Sequence, residues 1–190
     1  MTTPSSPLLP LETERLVLRE LAASDFAAVH AYASDPVVVR YMPWGPNSEN
    51  DTWDFLGRAQ ELANARPRTG YELAVVRREG SELLGAIGLH LWDETKAEAM
   101  LGYCYSQASW GHGYGTEAGR VMIWLGFAKL GLERIWAGCD SNNDASVKVL
   151  QKIGMIPVER HESDTIEGSP DSLMFCIRSE QWITSAALER

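Results

Sequence analysis

The stretch Ser109-Trp-Gly111-His-Gly113-Tyr-Gly115-Thr-Glu-Ala118 is the most informative part of the sequence, and it lies between a predicted strand and a predicted helix. Its glycines allow positive φ angles, so consecutive backbone N–H groups can turn toward one point. That point is also the N-terminus of the helix, where the helix dipole favours negative charge. The pattern predicts a turn that holds a pyrophosphate through backbone amides, without needing a basic side chain.

Three other structures compete with the pyrophosphate turn as interpretations of this stretch. Gly113 to Ala118 fits the dinucleotide fingerprint GxGxxA, and Asp140, at the end of the next predicted strand, is a candidate ribose ligand. However, only about 75 residues follow the turn, which is too few for a six-stranded Rossmann sheet. A Walker loop is excluded because the stretch contains no Gly-Lys-Ser/Thr. A tight strand-to-helix turn without a ligand is the remaining alternative.

The order of the other patterns predicts one mixed α+β domain. The first helical pattern covers 24–33 and begins with Ser24 as its N-cap. A second helix, capped by Asn50 or Asp51, follows a predicted loop over 37–50, and three strands with short turns then predict an antiparallel meander. The predicted strands are 15–20, 71–77, 82–91, 97–105, 134–140, 155–160 and 172–178, and the later helices begin at Thr116 and Asn143 and end before Gly131 and Gly154.

Length and composition narrow the classes of function. The chain has 190 residues and a net charge of −9, spread over both halves, which should repel nucleic acid and favour cationic partners. No apolar run approaches the ~18–20 residues of a membrane span, and the N-terminus lacks a signal-peptide pattern. Three cysteines and four histidines without ligand spacing predict no metal site. We expect a flexible tail over 1–10, one domain over 11–190, and a cytoplasmic location with no membrane partner.

Several motifs occur in a recognisable order between about residue 12 and residue 178. They are Thr13-Glu-Arg-Leu-Val-Leu-Arg19, Tyr41-Met-Pro-Trp44, Gly85-Ala-Ile-Gly88, the glycine turn from Trp110 to Ala118, Asn143-Asp-Ala-Ser146, and Val149-Leu-Gln-Lys-Ile-Gly154-Met155. Together they resemble the GNAT acyl-CoA N-acetyltransferases. The resemblance is closest to the RimJ/RimL-like branch, which comprises the ribosomal-protein N-terminal acetyltransferases and their small-molecule relatives.

The resemblance implies a GNAT fold with acetyl-CoA as co-substrate. This fold is a mostly antiparallel, twisted sheet of about six or seven strands, flanked by about four helices. A V-shaped opening between the fourth and fifth strands would hold the pantetheine, with free strand N–H groups at the thioester carbonyl. The residues implied to bind acetyl-CoA are Tyr105, Gly111, His112, Gly113, Tyr114, Gly115, Thr116 and Asn143.

The implied activity is acetyl transfer to a primary amine by direct attack in a ternary complex. The acceptor would be a peptide or protein N-terminus or a small-molecule amine, and the protein a monomer or homodimer. Ser146 is implied to stand near the departing thiolate. However, the tyrosine that serves the wider superfamily as general acid is replaced by Leu150, so a non-catalytic acyl-CoA-binding or regulatory module is the alternative.

A proton acceptor is needed because an α-amine, with a pKa of about 7.7–8.0, and a lysine amine, near 10.4, are largely protonated at neutral pH. The resemblance places this carboxylate at Asp164, four residues before Gly168. Glu162, Glu167 and Glu98 are the alternatives. The general base therefore remains open among four carboxylates.

The acceptor pocket is implied to lie among the first helices and their loop. Tyr41, Trp44 and Trp53 are the candidate aromatic walls, although they could equally cap the core beneath a long loop. The acidic surface favours a basic acceptor such as a peptide N-terminus, a polyamine or an aminoglycoside. Glu117 is expected to support the first turn of its helix electrostatically.

Overall fold

The computed structural model describes residues 8–93, 97–158 and 172–182, and their core is one mixed sheet. The strands are β1 (Leu11–Glu12), β2 (Leu16–Glu20), β3 (Gly70–Arg77), β4 (Leu83–Asp93), β5 (Glu98–Tyr105), β6 (Arg134–Asp140), β7 (Ile156–Val158) and β8 (Ser172–Arg178). The helices are α1 (Phe26–Ala33), α2 (Pro36–Val39), α3 (Glu49–Asn64), α4 (Tyr114–Trp124) and α5 (Asp144–Lys152). No helix in these ranges is long and apolar enough to cross a membrane.

The eight strands follow the order β1-β2-β3-β4-β5-β6-β8-β7, and helices cover both faces of the sheet. Successive side chains of a strand point to opposite faces. In β3, Leu73 and Val75 therefore enter the larger apolar cluster, which includes Met122 of α4. Ala74 and Val76 enter the smaller cluster beneath α1 and α3. The predicted antiparallel meander of β3, β4 and β5 is confirmed.

The parallel contact between β5 and β6 is short and leaves the sheet open at one end. Three residue pairs join these strands, and the last is Met100 with Trp136. Beyond that pair the strands separate, which confirms the predicted opening between the strands over 97–105 and 134–140. Because parallel strands end at the same edge, α4 and α5 both begin beside this opening.

The starts of α2 and α3 differ from the prediction. The segment 37–50 was predicted as a loop, but its first three residues belong to α2, whose N-terminus is capped by Asp35 at 2.9 Å from a backbone N–H. α3 is capped by Ser48 rather than by Asn50 or Asp51. The Asp51 carboxylate instead accepts a hydrogen bond from the Ser48 N–H at 2.9 Å, which completes a reciprocal capping box.

The first helix also begins differently. A 3₁₀ turn over Ala23–Asp25 precedes α1, and Ser24 makes no capping bond there. Instead, the buried Asp25 carboxylate accepts a hydrogen bond from the Ala22 N–H at 2.9 Å and two from Arg19, at 2.7 and 2.8 Å. A carboxylate with a bidentate arginine partner is therefore preferred over the hydroxyl predicted at this position.

The sheet extends further than predicted at its N-terminal edge. β1 pairs with β2, which brings the described sheet to eight strands rather than six or seven. Leu8 and Leu9, predicted within the flexible tail over 1–10, pack against the larger cluster because burial removes their apolar side chains from water. The strand predicted over 155–160 is seen as β7, and residues 159 and 160 lie outside the described ranges.

Candidate active site

Past its parallel pairs, β5 faces the opening instead of a strand. The Ser106 N–H donates to the Leu84 carbonyl at 2.9 Å, so alternate residues of β5 bond to β4. The amides of Tyr103 and Tyr105 therefore point away from β4. Consistent with this direction, the Tyr105 carbonyl accepts a hydrogen bond from Trp110 Nε1 at 2.9 Å. The Tyr103 N–H thus faces the opening, where such a donor can stabilise a developing oxyanion.

The glycine turn lies at the N-terminus of α4, which begins at Tyr114 rather than at the predicted Thr116. Gly111 and Gly113 have φ angles of 77° and 81°, and Gly113 is the N-cap. A Cβ at Gly111 would meet no atom within 4 Å, so the turn requires glycine there for its backbone conformation rather than for space. The amides of the first helical turn have no acceptor within the helix. The predicted anion-binding amides are thus brought together.

The Thr13–Arg15 segment, which joins β1 to β2, holds the glycine turn by hydrogen bonds. Thr13 Oγ1 donates to Glu117 Oε1 at 2.6 Å, and Arg15 Nε donates to Glu117 Oε2 at 2.7 Å. Arg15 Nη1 also donates to the His112 carbonyl at 3.0 Å. Burial alone would raise the pKa of Glu117, but the bonds from Thr13 and Arg15 outweigh it and lower that pKa. Glu117 therefore holds the turn in place, in agreement with its expected supporting role.

We expect Glu117→Gln to lower the free energy of unfolding by about 1 kcal/mol at neutral pH, because the charge-assisted bonds are lost. The pKa of Glu117 in the folded protein lies below the value of 4.5 taken for an unperturbed glutamate. The carboxylate therefore stabilises the fold fully above that value, and the stabilisation is lost as the pH falls through the lower, folded pKa. Thermal unfolding should show a gap between wild type and variant that shrinks as the pH is lowered from neutral to acidic values.

The control for this pH dependence is Glu61→Gln, at an exposed position of α3. The thermal unfolding of this variant should match that of the wild type at neutral and at acidic pH. A gap for Glu117→Gln that stays equal at neutral and acidic pH would contradict the role of its charge.

Ser146 lies on the other side of the opening, at the start of α5. Asn143 caps this helix, and its Oδ1 accepts a hydrogen bond from the Ser146 N–H at 3.1 Å. The Ser146 hydroxyl shares a 2.8 Å hydrogen bond with the Tyr103 hydroxyl. Burial raises the pKa of Tyr103 far enough that it stays protonated at neutral pH. Tyr103 was not among the predicted site residues, although a tyrosine two residues before Tyr105 shares its strand face.

The donor groups around the opening fit acetyl-CoA. The Tyr105 ring lies beneath Gly115, with Cε2 3.4 Å from a Cβ placed there. The Tyr105 hydroxyl is buried, and within the described part of the chain it has no hydrogen-bond partner. This hydroxyl, the glycine-turn amides and the Tyr103 N–H are all donors, and acetyl-CoA carries phosphate and carbonyl oxygens as acceptors. The donor set therefore matches the implied co-substrate.

A cavity of about 590 Å³ lies beneath α1 and α3 and reaches the open edge of β5. Trp44, a predicted wall of the acceptor pocket, lines this cavity. Tyr41 and Trp53 are not among its lining residues. Instead, the Tyr41 ring lies under Arg40, and the Trp53 ring stacks on Phe26 with centroids 4.2 Å apart. The residues that line the cavity and carry its polarity include Tyr32, Asp54, Arg58, Glu72 and His90.

Of the four predicted general bases, Glu98 lies within the described residues. Glu98 lies at the paired end of β5 and β6, where its carboxylate accepts a hydrogen bond from Trp136 Nε1 at 2.8 Å and lies 3.5 Å from Arg134. Its carboxylate is therefore held at the closed end of the sheet rather than in the opening. Asp164, with Glu162 and Glu167, lies outside the described residues. The assignment of Asp164 stays a prediction.

Known proteins resemble this chain in both sequence and fold. Residues 15–156 match the family model described as an acetyltransferase (GNAT) domain. The chain is 32% identical over 145 residues to the uncharacterized N-acetyltransferase YoaA of Bacillus subtilis (strain 168). The aligned region covers 76% of this chain and 81% of that protein.

Solved structures agree with this assignment. A GNAT-family acetyltransferase from Bacillus anthracis superimposes with a TM-score of 0.73 at 27% identity, covering 89% of this chain and 98% of that one. The spermidine N-acetyltransferase of Vibrio cholerae, solved with CoA and spermine, gives 0.74 at 16% identity, covering 90% and 99%. At that identity the second likeness concerns the fold alone. The chain is therefore an acyltransferase that belongs to the GNAT acetyltransferase family.

Proposed function

We propose that this protein transfers the acetyl group of acetyl-CoA to a primary amine by direct attack in a ternary complex. The observation that carries the proposal is the opening between β5 and β6. The glycine turn and Ser146 border it from the side of α4 and α5, and the 590 Å³ cavity reaches it from the side of α1 and α3. Donor and acceptor can therefore approach the same gap in the sheet from opposite faces.

Different residues around the opening would bind the donor, stabilise the oxyanion and protonate the thiolate. Bound acetyl-CoA would supply an activated thioester. The amides of Gly111 to Thr116 would hold its pyrophosphate, so the net charge of −9 does not oppose binding. The Tyr103 N–H would stabilise the developing oxyanion. The Ser146 hydroxyl, bonded to Tyr103, would give a proton to the departing thiolate, and His112 and Asn143 would contact the rest of the co-substrate.

Direct transfer is favoured because the thiol nearest to Ser146 is a poor nucleophile. Burial raises the pKa of Cys139, and a hydrogen bond with the Ser146 hydroxyl offsets this only in part. A thiol with a raised pKa stays protonated at neutral pH, and the protonated form does not attack a thioester. Cys139 is therefore unsuited to carry the acetyl group between donor and acceptor.

The chemistry of the cavity supports a basic acceptor. Asp54 and Glu72 place negative charge on its walls, while Trp44 and Phe55 provide apolar surface. These features suit an ammonium group on a small organic body, and a peptide N-terminus has the same reacting group. The motifs from Thr13 to Arg19 and from Trp110 to Ala118 further support membership of the RimJ/RimL-like branch. The cytoplasmic location and the monomeric or homodimeric state remain predictions.

The proposal is tested by measuring free-thiol release from acetyl-CoA against a panel of primary amines. The panel contains polyamines, aminoglycosides and short peptides with free N-termini, and the matched tertiary amines serve as controls. We expect release with a subset of the primary amines and with none of the tertiary amines. Tight acetyl-CoA binding without release would favour the non-catalytic module, and absence of binding would contradict both functions.

A further inference from the structure

A carboxylate and an imidazole from neighbouring strands meet in the cavity. Glu72 of β3 and His90 of β4 share a hydrogen bond of 2.8 Å between Oε2 and Nε2. The Glu72 side chain is 15% exposed and the His90 side chain 42%. Both side chains reach over Gly88, where a Cβ would lie 2.6 Å from each of the two bonded atoms. A Cβ at this position would therefore displace the ends of both side chains, and glycine leaves the pair room to lie on the sheet.

The pair is one strand away from the opening. Gly88 is paired directly with Gly102 of β5, the strand that borders the opening. A Cβ at Gly102 would meet no atom within 4 Å. Opposed residues of neighbouring strands have their Cβ positions about 4.5–5.5 Å apart. An amine lying over Gly102 could therefore contact both the Glu72 carboxylate and a thioester held in the opening.

We infer that Glu72 is the group that accepts the proton of the acceptor ammonium, and that His90 is a positioning residue that donates Nε2–H to the Glu72 carboxylate. This inference rests on the proposed function. The sequence suggested four carboxylates as candidates for the general base. Glu72 is a fifth candidate, and it lies in the cavity itself. In this arrangement His90 bonds to one oxygen of the Glu72 carboxylate, and the other oxygen can accept the ammonium proton.

The step balances in protons and bonds. The ammonium donates a proton to Glu72, and the nitrogen lone pair then attacks the thioester carbonyl carbon. A C–N bond forms and the C–S bond breaks, which releases the thiolate. The nitrogen loses a second proton as it becomes an amide. One of the two protons ends on the thiolate, by way of the Ser146 hydroxyl, and the other passes from Glu72 to solvent.

The other titratable groups that face the pair are less suited to this role. Burial raises the pKa of Tyr32 on α1, and it raises that of Cys104 on β5 to about 12, so both stay protonated at neutral pH. On α3, Asp51 is occupied by the capping box of Ser48. Asp54 is exposed, and Arg58 is a cation. Glu72 is the cavity carboxylate that lies on the sheet, beside the strand at the opening.

The test is steady-state kinetics of Glu72→Gln with an acceptor amine identified for the wild type. We expect kcat at neutral pH to fall by about 100-fold or more, with KM changed by less than about 3-fold. The loss should shrink as the pH rises toward the pKa of the amine, because more of the acceptor then arrives neutral. Glu61→Gln makes the same carboxylate-to-amide change outside the cavity and should match the wild type.

Two further variants keep the inference falsifiable if Glu72→Gln folds poorly. Gly88→Ala leaves both side chains but displaces them, and it should reproduce the pH-dependent loss, whereas Gly57→Ala, whose Cβ would meet no atom within 4 Å, should not. His90→Gln should lower kcat by about 10-fold and keep the pH profile of the wild type.

Either of two outcomes in active wild-type protein would overturn this inference alone. One is a raised KM at constant kcat, which would make Glu72 an ammonium anchor, and the other is unchanged kinetics. A wild type that acetylates no amine would overturn the proposed function with it.

Discussion

Gly113→Glu should weaken acetyl-CoA binding by about 100-fold or more, which corresponds to about 2.7 kcal/mol. The substitution places a carboxylate among the amides that are expected to hold the pyrophosphate, so like charges repel in the turn. It also imposes a φ of 81° on a residue with a side chain, which costs about 1–2 kcal/mol. The position is exposed, so the fold should survive. Calorimetric titration with CoA measures the effect.

A matched control separates charge from backbone strain. Gly80 has a φ of 79°, and a Cβ there would lie 3.8 Å from the guanidinium of Arg77, as one at Gly113 would lie 3.6 Å from that of Arg15. Gly80→Glu should therefore carry similar strain and bind CoA like the wild type.

A shortened donor gives a second test of the pyrophosphate site. A short acetyl thioester without phosphates should be turned over equally by Gly113→Glu and by the wild type. Equal losses with both donors, or unchanged CoA binding in Gly113→Glu, would contradict the pyrophosphate site.

Ser146→Ala should lower kcat with acetyl-CoA by about 100-fold, because general-acid catalysis typically contributes about 10²–10⁴-fold. The lost hydroxyl is the one that bonds to Tyr103 at 2.8 Å beside the opening. A donor with a more acidic thiol, such as an aryl thioester, needs less help from an acid, and the defect should shrink with it. Steady-state kinetics with the two donors measures the difference.

Ser24→Ala is the control for this substitution. Its hydroxyl is exposed and lies outside the site, so kcat should not change. The general-acid role of Ser146 would be refuted by a defect of equal size with both thioesters. A raised KM for acetyl-CoA at constant kcat would instead assign Ser146 to binding.

Much of the fold could be predicted because local patterns determine it. Alternating apolar and polar residues identify β2, and the turns between β3, β4 and β5 are short enough to require antiparallel pairing. Caps were harder to locate, because Ser48, Asn50 and Asp51 all suit the start of α3 and only the three-dimensional hydrogen bonds distinguish them. α2 escaped prediction because it has four residues, too few to show a helical period.

The parts of the candidate site that are formed by residues close in sequence could be predicted. They are the glycine turn and the Asn143–Ser146 cap. The site was not predictable where the contact depends on strand register. Glu72 and His90 are 18 residues apart and meet because Gly88 lies between them in the sheet. Arg15 and Glu117 are 102 residues apart. The sequence could not separate Trp44, which lines the cavity, from Tyr41 and Trp53, because an aromatic side chain suits a pocket wall and a surface contact equally well.

We propose that the acetyl group passes directly from the donor in the opening to the amine in the cavity. A two-stage mixing experiment distinguishes this direct transfer from transfer through an acetylated protein. Wild-type protein is mixed with acetyl-CoA alone and then with the acceptor amine, and free thiol and the intact mass of the protein are measured at each stage. We predict no thiol and no change in mass until the amine is added, followed by equal amounts of thiol and acetylated amine. Stoichiometric thiol release and an acetylated protein before the amine is added would contradict direct transfer.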